Sequence, residues 1–152
     1  MLMYDRKSKE FREKTRILER NLESLNSNDC SICSITSAQC HALVEIGRRN
    51  DSMLKDLATT LRIDISTASK VVEELVKKGL VLREPSTIDR RSVQINLSEE
   101  GKHIFDQIEN NMDLIFEEIF SFIDPQKQDE LLRSLSIYNQ AIEQWKAAKE
   151  NE

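Results

Sequence analysis

The chain has 152 residues, 39% of them hydrophobic and 32% charged, with a net charge of −5 and only 3 Gly and 2 Pro. That suits one domain with a core and excludes collagen-like, linker-like and turn-dense all-β architectures. No apolar run approaches the roughly 18–20 residues of a membrane span, no signal-peptide core follows Met1, and three cysteines is an odd count. A cytoplasmic protein without a disulfide framework or a membrane partner is therefore expected.

Residues 5–25 predict a helix, because Phe11, Leu18, Leu22 and Leu25 fall on one face and Asn26-Ser27-Asn28-Asp29 then breaks the pattern. A Cys-containing link follows, and Thr36 or Ser37 can cap a helix with Leu43, Val44 and Ile46 inward and Gly47 near its end. Ser52 is placed to cap a short helix carrying Leu54, Leu57, Ala58 and Leu61. Ser66 is placed to cap the next, with Ala68, Val72, Leu75 and Val76 as its inner stripe and Gly79 at its C′ position. Lys77 and Lys78 suit the negative end of that helix.

The period changes over residues 80–97. Val81 to Glu84 and Ser92 to Leu97 read as two strands, the second alternating Val93, Ile95 and Leu97 against polar neighbours. The polar loop Pro85-Ser86-Thr87-Ile88-Asp89-Arg90-Arg91 joins them into the only hairpin predicted. Ser98-Glu99-Glu100-Gly101 opens a long helix bearing Phe105, Ile108, Met112, Ile115, Phe116, Ile119 and Ile123. Pro125 starts the last helix, which carries Leu131, Leu132, Leu135, Tyr138, Ile142 and Trp145. The aromatic residues Phe105, Phe116, Phe120 and Trp145, at helical spacing, read as core rather than as a ligand box.

Helix, turn, helix and hairpin is the order of a winged helix-turn-helix, so the fold class expected is mainly α with a small β-hairpin wing. The second helix of such a unit fits the major groove of DNA and reads base edges with its N-terminal residues. Here those are Ser66, Thr67, Ser69 and Lys70, with no acidic residue among them; Ser66 can combine capping with a phosphate contact. At the hairpin tip Arg90 and Arg91 suit a narrow minor groove, and the adjacent Asp89 can fix a guanidinium. Charge distribution agrees. Residues 48–102 carry 11 basic and 9 acidic residues, whereas residues 103–152 carry 4 and 11, so the acidic end should face away from a polyanion.

Residues 54–102 resemble the multiple-antibiotic-resistance-regulator (MarR) family. The likeness rests on Leu57-Ala58, Ser66-Thr67-Ala68-Ser69, the run Leu75 to Arg83, Asp89-Arg90-Arg91, and Ile95-Asn96-Leu97-Ser98-Glu99-Glu100-Gly101. Ser98 stands where the family usually has Thr. The resemblance implies a homodimeric transcriptional regulator, most simply a repressor, on a pseudo-palindromic operator. It implies that Asp89 orients a wing arginine and that Arg83 anchors the wing base. The chain then divides into dimerisation helices at 1–35 and 103–152 and a DNA-binding region at 36–102. Dimerisation also follows from the apolar stripes of the terminal helices, which have little else to pack against.

All three cysteines lie close together, as Cys30-Ser31-Ile32-Cys33 and Cys40-His41. One C-x-x-C is a weak signal, and burial accounts for Cys40. Clustering also admits thiol redox sensing, or zinc held by Cys30, Cys33, Cys40 and His41, although adjacent helical side chains such as Cys40 and His41 diverge by about 100°. His103 reads as a surface or interface residue. No cofactor is required, and a small-molecule effector is implied by the resemblance. No phosphate loop, nucleophile elbow or zinc-protease motif marks an enzyme. The competing readings are an effector-independent regulator or activator of the same fold, and a winged helix that binds protein.

Overall fold

The computed structural model describes residues 2–29, 34–89 and 91–151. Along the chain these form α1 (Leu2–Asp29), α2 (Ser37–Arg48), β1 (Ser52–Met53), α3 (Leu54–Leu61), α4 (Ile65–Lys77), β2 (Val81–Pro85), β3 (Val93–Leu97), α5 (Glu99–Ser121) and α6 (Pro125–Glu150). The expected class, mainly α with a small β-wing, is the one observed.

Met1–Asn111 and Met112–Glu152 form two compact units. The first contains the buried core. Leu43 and Ile46 from α2, Leu57 and Ala58 from α3, and Ala68, Val72 and Leu75 from α4 close over Val81, Ile95 and Leu97 of the sheet, with Ile108 of α5 also buried. Apolar residues at spacings of three and four put one face of each short helix inward. On α4 the inward stripe includes Val71 rather than the expected Val76, which is 37% exposed.

Three local expectations are corrected. Asn26 to Asp29 do not stop α1, which runs to Asp29; poor helix formers cost only tenths of a kcal/mol each, too little to end a long helix. Ser52 does not cap α3. It enters a two-residue strand paired with Ile95, its side chain is buried, and Met53 stands at the cap position without a side-chain bond. The hairpin is accordingly part of a three-stranded antiparallel sheet in the order β1-β3-β2. The third correction concerns β3, where Val93 is 49% exposed and Gln94 is buried. The strand runs out beyond the core at this end, and the Gln94 amide instead donates to the Ser86 hydroxyl at 3.4 Å.

Several ends form as local chemistry requires. Thr36 caps α2 in a reciprocal capping box with Gln39. At the end of α4, Leu80 N–H donates to Leu75 C=O and Gly79 N–H to Val76 C=O, a Schellman closure that needs Gly79 at φ +74°. Ser98 accepts from Gly101 N–H and donates to the Gly79 carbonyl, tying the start of α5 to the end of α4.

The second unit holds the end of α5 and all of α6, where Asp124 caps the helix and Pro125 begins it. No residue of α6 is buried. Trp145 is 64% exposed and Phe116 41%, so these two aromatics are not core within the chain. Among the described residues no helix is long and apolar enough to cross a membrane.

Candidate nucleic-acid interface

The cap of α4 lies two residues before Ser66. Asp64 is the cap, and its carboxylate accepts from Thr67 N–H at 2.7 Å and from the Ser66 hydroxyl at 2.8 Å. Ser66 is therefore the second helical residue; the first turn holds no acid, but the cap before it is one. Both residues are good caps; the aspartate wins because it takes two donors at once, one of them Ser66 itself. Bonds from Thr67, through its hydroxyl and then its main chain, and from Ser66 hold the Asp64 carboxyl down at about 2, with Lys70 adding to the effect. The Ser66 hydroxyl thus spends its proton on Asp64 and turns lone pairs outward, an acceptor suited to an amino group. Lys70 is exposed and Ser69 half-buried on the same stretch.

A carboxyl with a lowered value stabilises the fold while it is ionised. Its contribution is complete above the ordinary carboxylate range and disappears as pH falls from about 4 towards 2. Asp64→Ala is therefore expected to melt lower than the parent at pH 7, and the gap should close through that acid window. Thermal melts of both proteins from pH 7 to pH 2 test this; a gap independent of pH would exclude the carboxylate as its source.

Two ties set the orientation of α4. Its C-terminal end is linked to α2 by Gln39, whose amide donates to Glu74 at 2.7 Å and whose oxygen accepts from Lys78 at 2.8 Å; Lys78 also reaches the Ser34 carbonyl at 3.2 Å. Near its N-terminus, Arg83 of β2 donates to the Ser69 carbonyl at 3.4 Å. Arg83 thus connects the base of the hairpin to α4.

The wing tip is built on Ser86. Its buried hydroxyl accepts from Ile88 N–H at 3.2 Å and Asp89 N–H at 3.3 Å, and Ser86 N–H donates to Ser92 C=O. Asp89 then accepts from Arg91 N–H at 3.0 Å and from the Ser92 hydroxyl at 3.3 Å. Asp89 therefore organises the main chain of the tip. Arg91 is exposed beside it, and Arg90 lies outside the described residues. Ser86, Gln94 and Asp64 escaped the sequence reading. A serine two residues before two loop amides, and an aspartate ahead of a helical run, are signals that could have found Ser86 and Asp64. Nothing local marks Gln94 for burial.

Cys30 and Cys33 also lie outside the described residues. Cys40 is a buried thiol on α2, whereas His41 next to it is exposed, so those two do not converge. Among the described residues no group of three His, Cys, Asp or Glu side chains comes together. His103 is exposed, as expected.

A cleft of about 560 Å³ lies within the first unit, between the end of α2, the outer face of the sheet and the start of α5. Ile46, Leu82, Leu97 and Phe105 give it apolar walls, and Arg49, Lys102, Glu84, Glu99 and Asp106 line it with both signs of charge.

The sequence profile of the MarR family matches residues 35–93. A MarR transcriptional regulator from Methanosarcina mazei is 27% identical and superposes with a TM-score of 0.72, covering 87% of this chain and 96% of that one. Over residues 35–93 the chain is thus similar to the MarR family. The uncharacterized HTH-type transcriptional regulator YfiV of Bacillus subtilis is 27% identical over 105 residues, 69% of this chain and 66% of the relative. The chain thus spans just under two thirds of that relative's length. FabT of Streptococcus pneumoniae, solved in complex with DNA, has the same fold at 20% identity, with a TM-score of 0.72 over 86% of this chain and 99% of that one.

Proposed function

We propose that this chain is a MarR-type transcriptional regulator that binds double-stranded DNA as a homodimer. The carrying observation is the coupling of reading helix to wing, through the Arg83 bond to Ser69 and the tip ordered by Ser86 and Asp89. That arrangement suits α4 to a major groove and the wing to the neighbouring minor groove. The DNA-bound FabT relative of the same fold supports it. Ser66, Thr67, Ser69 and Lys70 are the groups for base edges and phosphates, and Arg83, Asp89, Arg90 and Arg91 form the wing set.

Dimerisation is supported by apolar residues left open on the long helices. Phe11, Leu18 and Leu22 of α1 and Leu131, Leu132 and Leu135 of α6 are each at least 37% exposed. A pair of reading heads then meets half-sites about one helical turn, ~34 Å, apart on a pseudo-palindrome. Repression follows where such a dimer occupies promoter DNA. Release is assigned to a small molecule, thiol oxidation at Cys30, Cys33 or Cys40, or a metal ion held with His41. The mixed-charge cleft offers a small amphipathic effector a volume within the usual range for such sites.

Fluorescence anisotropy with duplexes selected by the protein from a random pool tests this reading, alongside sedimentation equilibrium. The expected mass is twice the 17.7 kDa of the chain. Affinity should fall steeply with salt, the log–log slope being about −0.9 for each phosphate neutralised. Alkylating the thiols separates the signals: a change of tenfold or more, ~1.4 kcal/mol, places the cysteines in the switch, and unchanged affinity turns the search to organic ligands. No selected duplex at low salt would reject DNA binding and favour a protein-binding winged helix.

A further inference from the structure

Among the described residues Ile88 is the most exposed large hydrophobic, at 93%. It stands at the wing tip, between Thr87 and Asp89, in a loop whose other features are polar or charged. The tip is not loosely held: the Ile88 and Asp89 amides both bond to the buried Ser86 hydroxyl, and Asp89 bonds to Arg91 N–H and Ser92. A rigid support therefore projects a bare branched side chain into solvent, which disfavours it. Apolar side chains of this kind wedge against or between base steps when a protein tip enters a minor groove, and the step beneath them is kinked.

Resting on the DNA-binding reading above, we propose that Ile88 is a sequence-selecting wedge for the minor groove of double-stranded DNA. Arg91, three residues on and exposed, complements the negative potential of that groove. The isoleucine makes no hydrogen bond to a base, so its selectivity is for deformability. A pyrimidine–purine step such as TA, which unstacks easily, is favoured under the wing over a stiff A-tract or G·C pairs.

The experiment uses the full chain and a selected duplex, with the step under the wing located by hydroxyl-radical footprinting and varied between TA, AA and GC. The parent should prefer TA roughly tenfold, ~1.4 kcal/mol. Ile88→Ser should lose about that factor on TA, bind the three duplexes within about twofold of one another, and keep the parent's salt slope, since no phosphate contact is removed. Ile88→Leu should retain the preference. Both variants should melt as the parent does, because the side chain is almost wholly exposed. Parent-like affinity and preference in Ile88→Ser, with DNA still bound, overturns the wedge alone; it would leave Ile88 to a protein surface. A changed salt slope in that variant also overturns it, by showing that the residue acts through the arginines. A parent that binds no duplex overturns the DNA reading and the wedge together.

Discussion

Gly101→Ala is expected to destabilise the protein by about 2 kcal/mol or more, lowering the melting temperature by roughly 4–8 °C for a chain of this size. A methyl at this position would lie 2.0 Å from the Leu80 carbonyl oxygen and 3.0 Å from its carbon. These are backbone atoms and cannot rotate away. Leu80 is itself held from both sides, since its N–H donates to Leu75 C=O and its carbonyl accepts from Ser98 N–H at 3.0 Å. Overpacking costs ~1–3 kcal/mol where side chains can yield, so a collision with fixed main chain belongs at or above the top of that range. Alanine's better helix propensity returns ~1 kcal/mol. Gly79→Ala makes a useful comparison. Among the described residues no atom lies within 4 Å of its added carbon, and its φ of +74° is what is at issue, so a smaller loss of ~1 kcal/mol is expected. Urea denaturation of both variants decides: a Gly101→Ala loss below that of Gly79→Ala would mean that α5 shifts to accommodate the methyl.

Removing both wing arginines should have the largest effect on DNA. Arg90→Ala/Arg91→Ala is expected to weaken binding about 100-fold, ~2.7 kcal/mol, if each contributes near the low end of the ~1–3 kcal/mol of a specific arginine contact. The salt slope should become shallower, as fewer counterions are released. Arg91 is exposed, so the loss should come without a change in melting temperature. Asp89→Ala supplies a test by sign. Deleting a carboxylate near a polyanion favours binding by simple electrostatics, whereas deleting the group that bonds Arg91 N–H and the Ser92 hydroxyl loosens the tip. Weaker binding by Asp89→Ala therefore identifies an organising role. Stronger binding would show that the wing is preformed without it.

The identity and order of the helices, and the hairpin between them, were legible because they rest on contacts within a few residues. Apolar spacing of three and four marked α2 to α5, Gly79 marked the left-handed end of α4, and a polar loop between β-formers marked the wing. The family resemblance rested on those same local runs. The candidate DNA-facing residues were named from the chain because they sit at fixed offsets from a helix start and a hairpin tip.

Long-range pairing decided the rest. Ser52 had the residue type of a cap, yet its partner is Ile95, 43 positions away, and a two-residue strand has no periodicity to read. Ser66 alone was read as the cap, but Asp64, two residues earlier, takes that place and accepts from both the Thr67 N–H and the Ser66 hydroxyl. Gln94 looked outward by alternation, but the wing carries it past the core to the Ser86 hydroxyl. The stripes of α1 and α6 were correctly read as apolar, but a stripe does not state what covers it; within one chain Leu132 remains 51% exposed and Trp145 64%. Sequence alone thus determined the elements and the chemistry of the candidate interface, because these depend on neighbouring residues. Tertiary structure decided which polar groups are buried and which apolar faces stay open, because both depend on segments that meet only after folding.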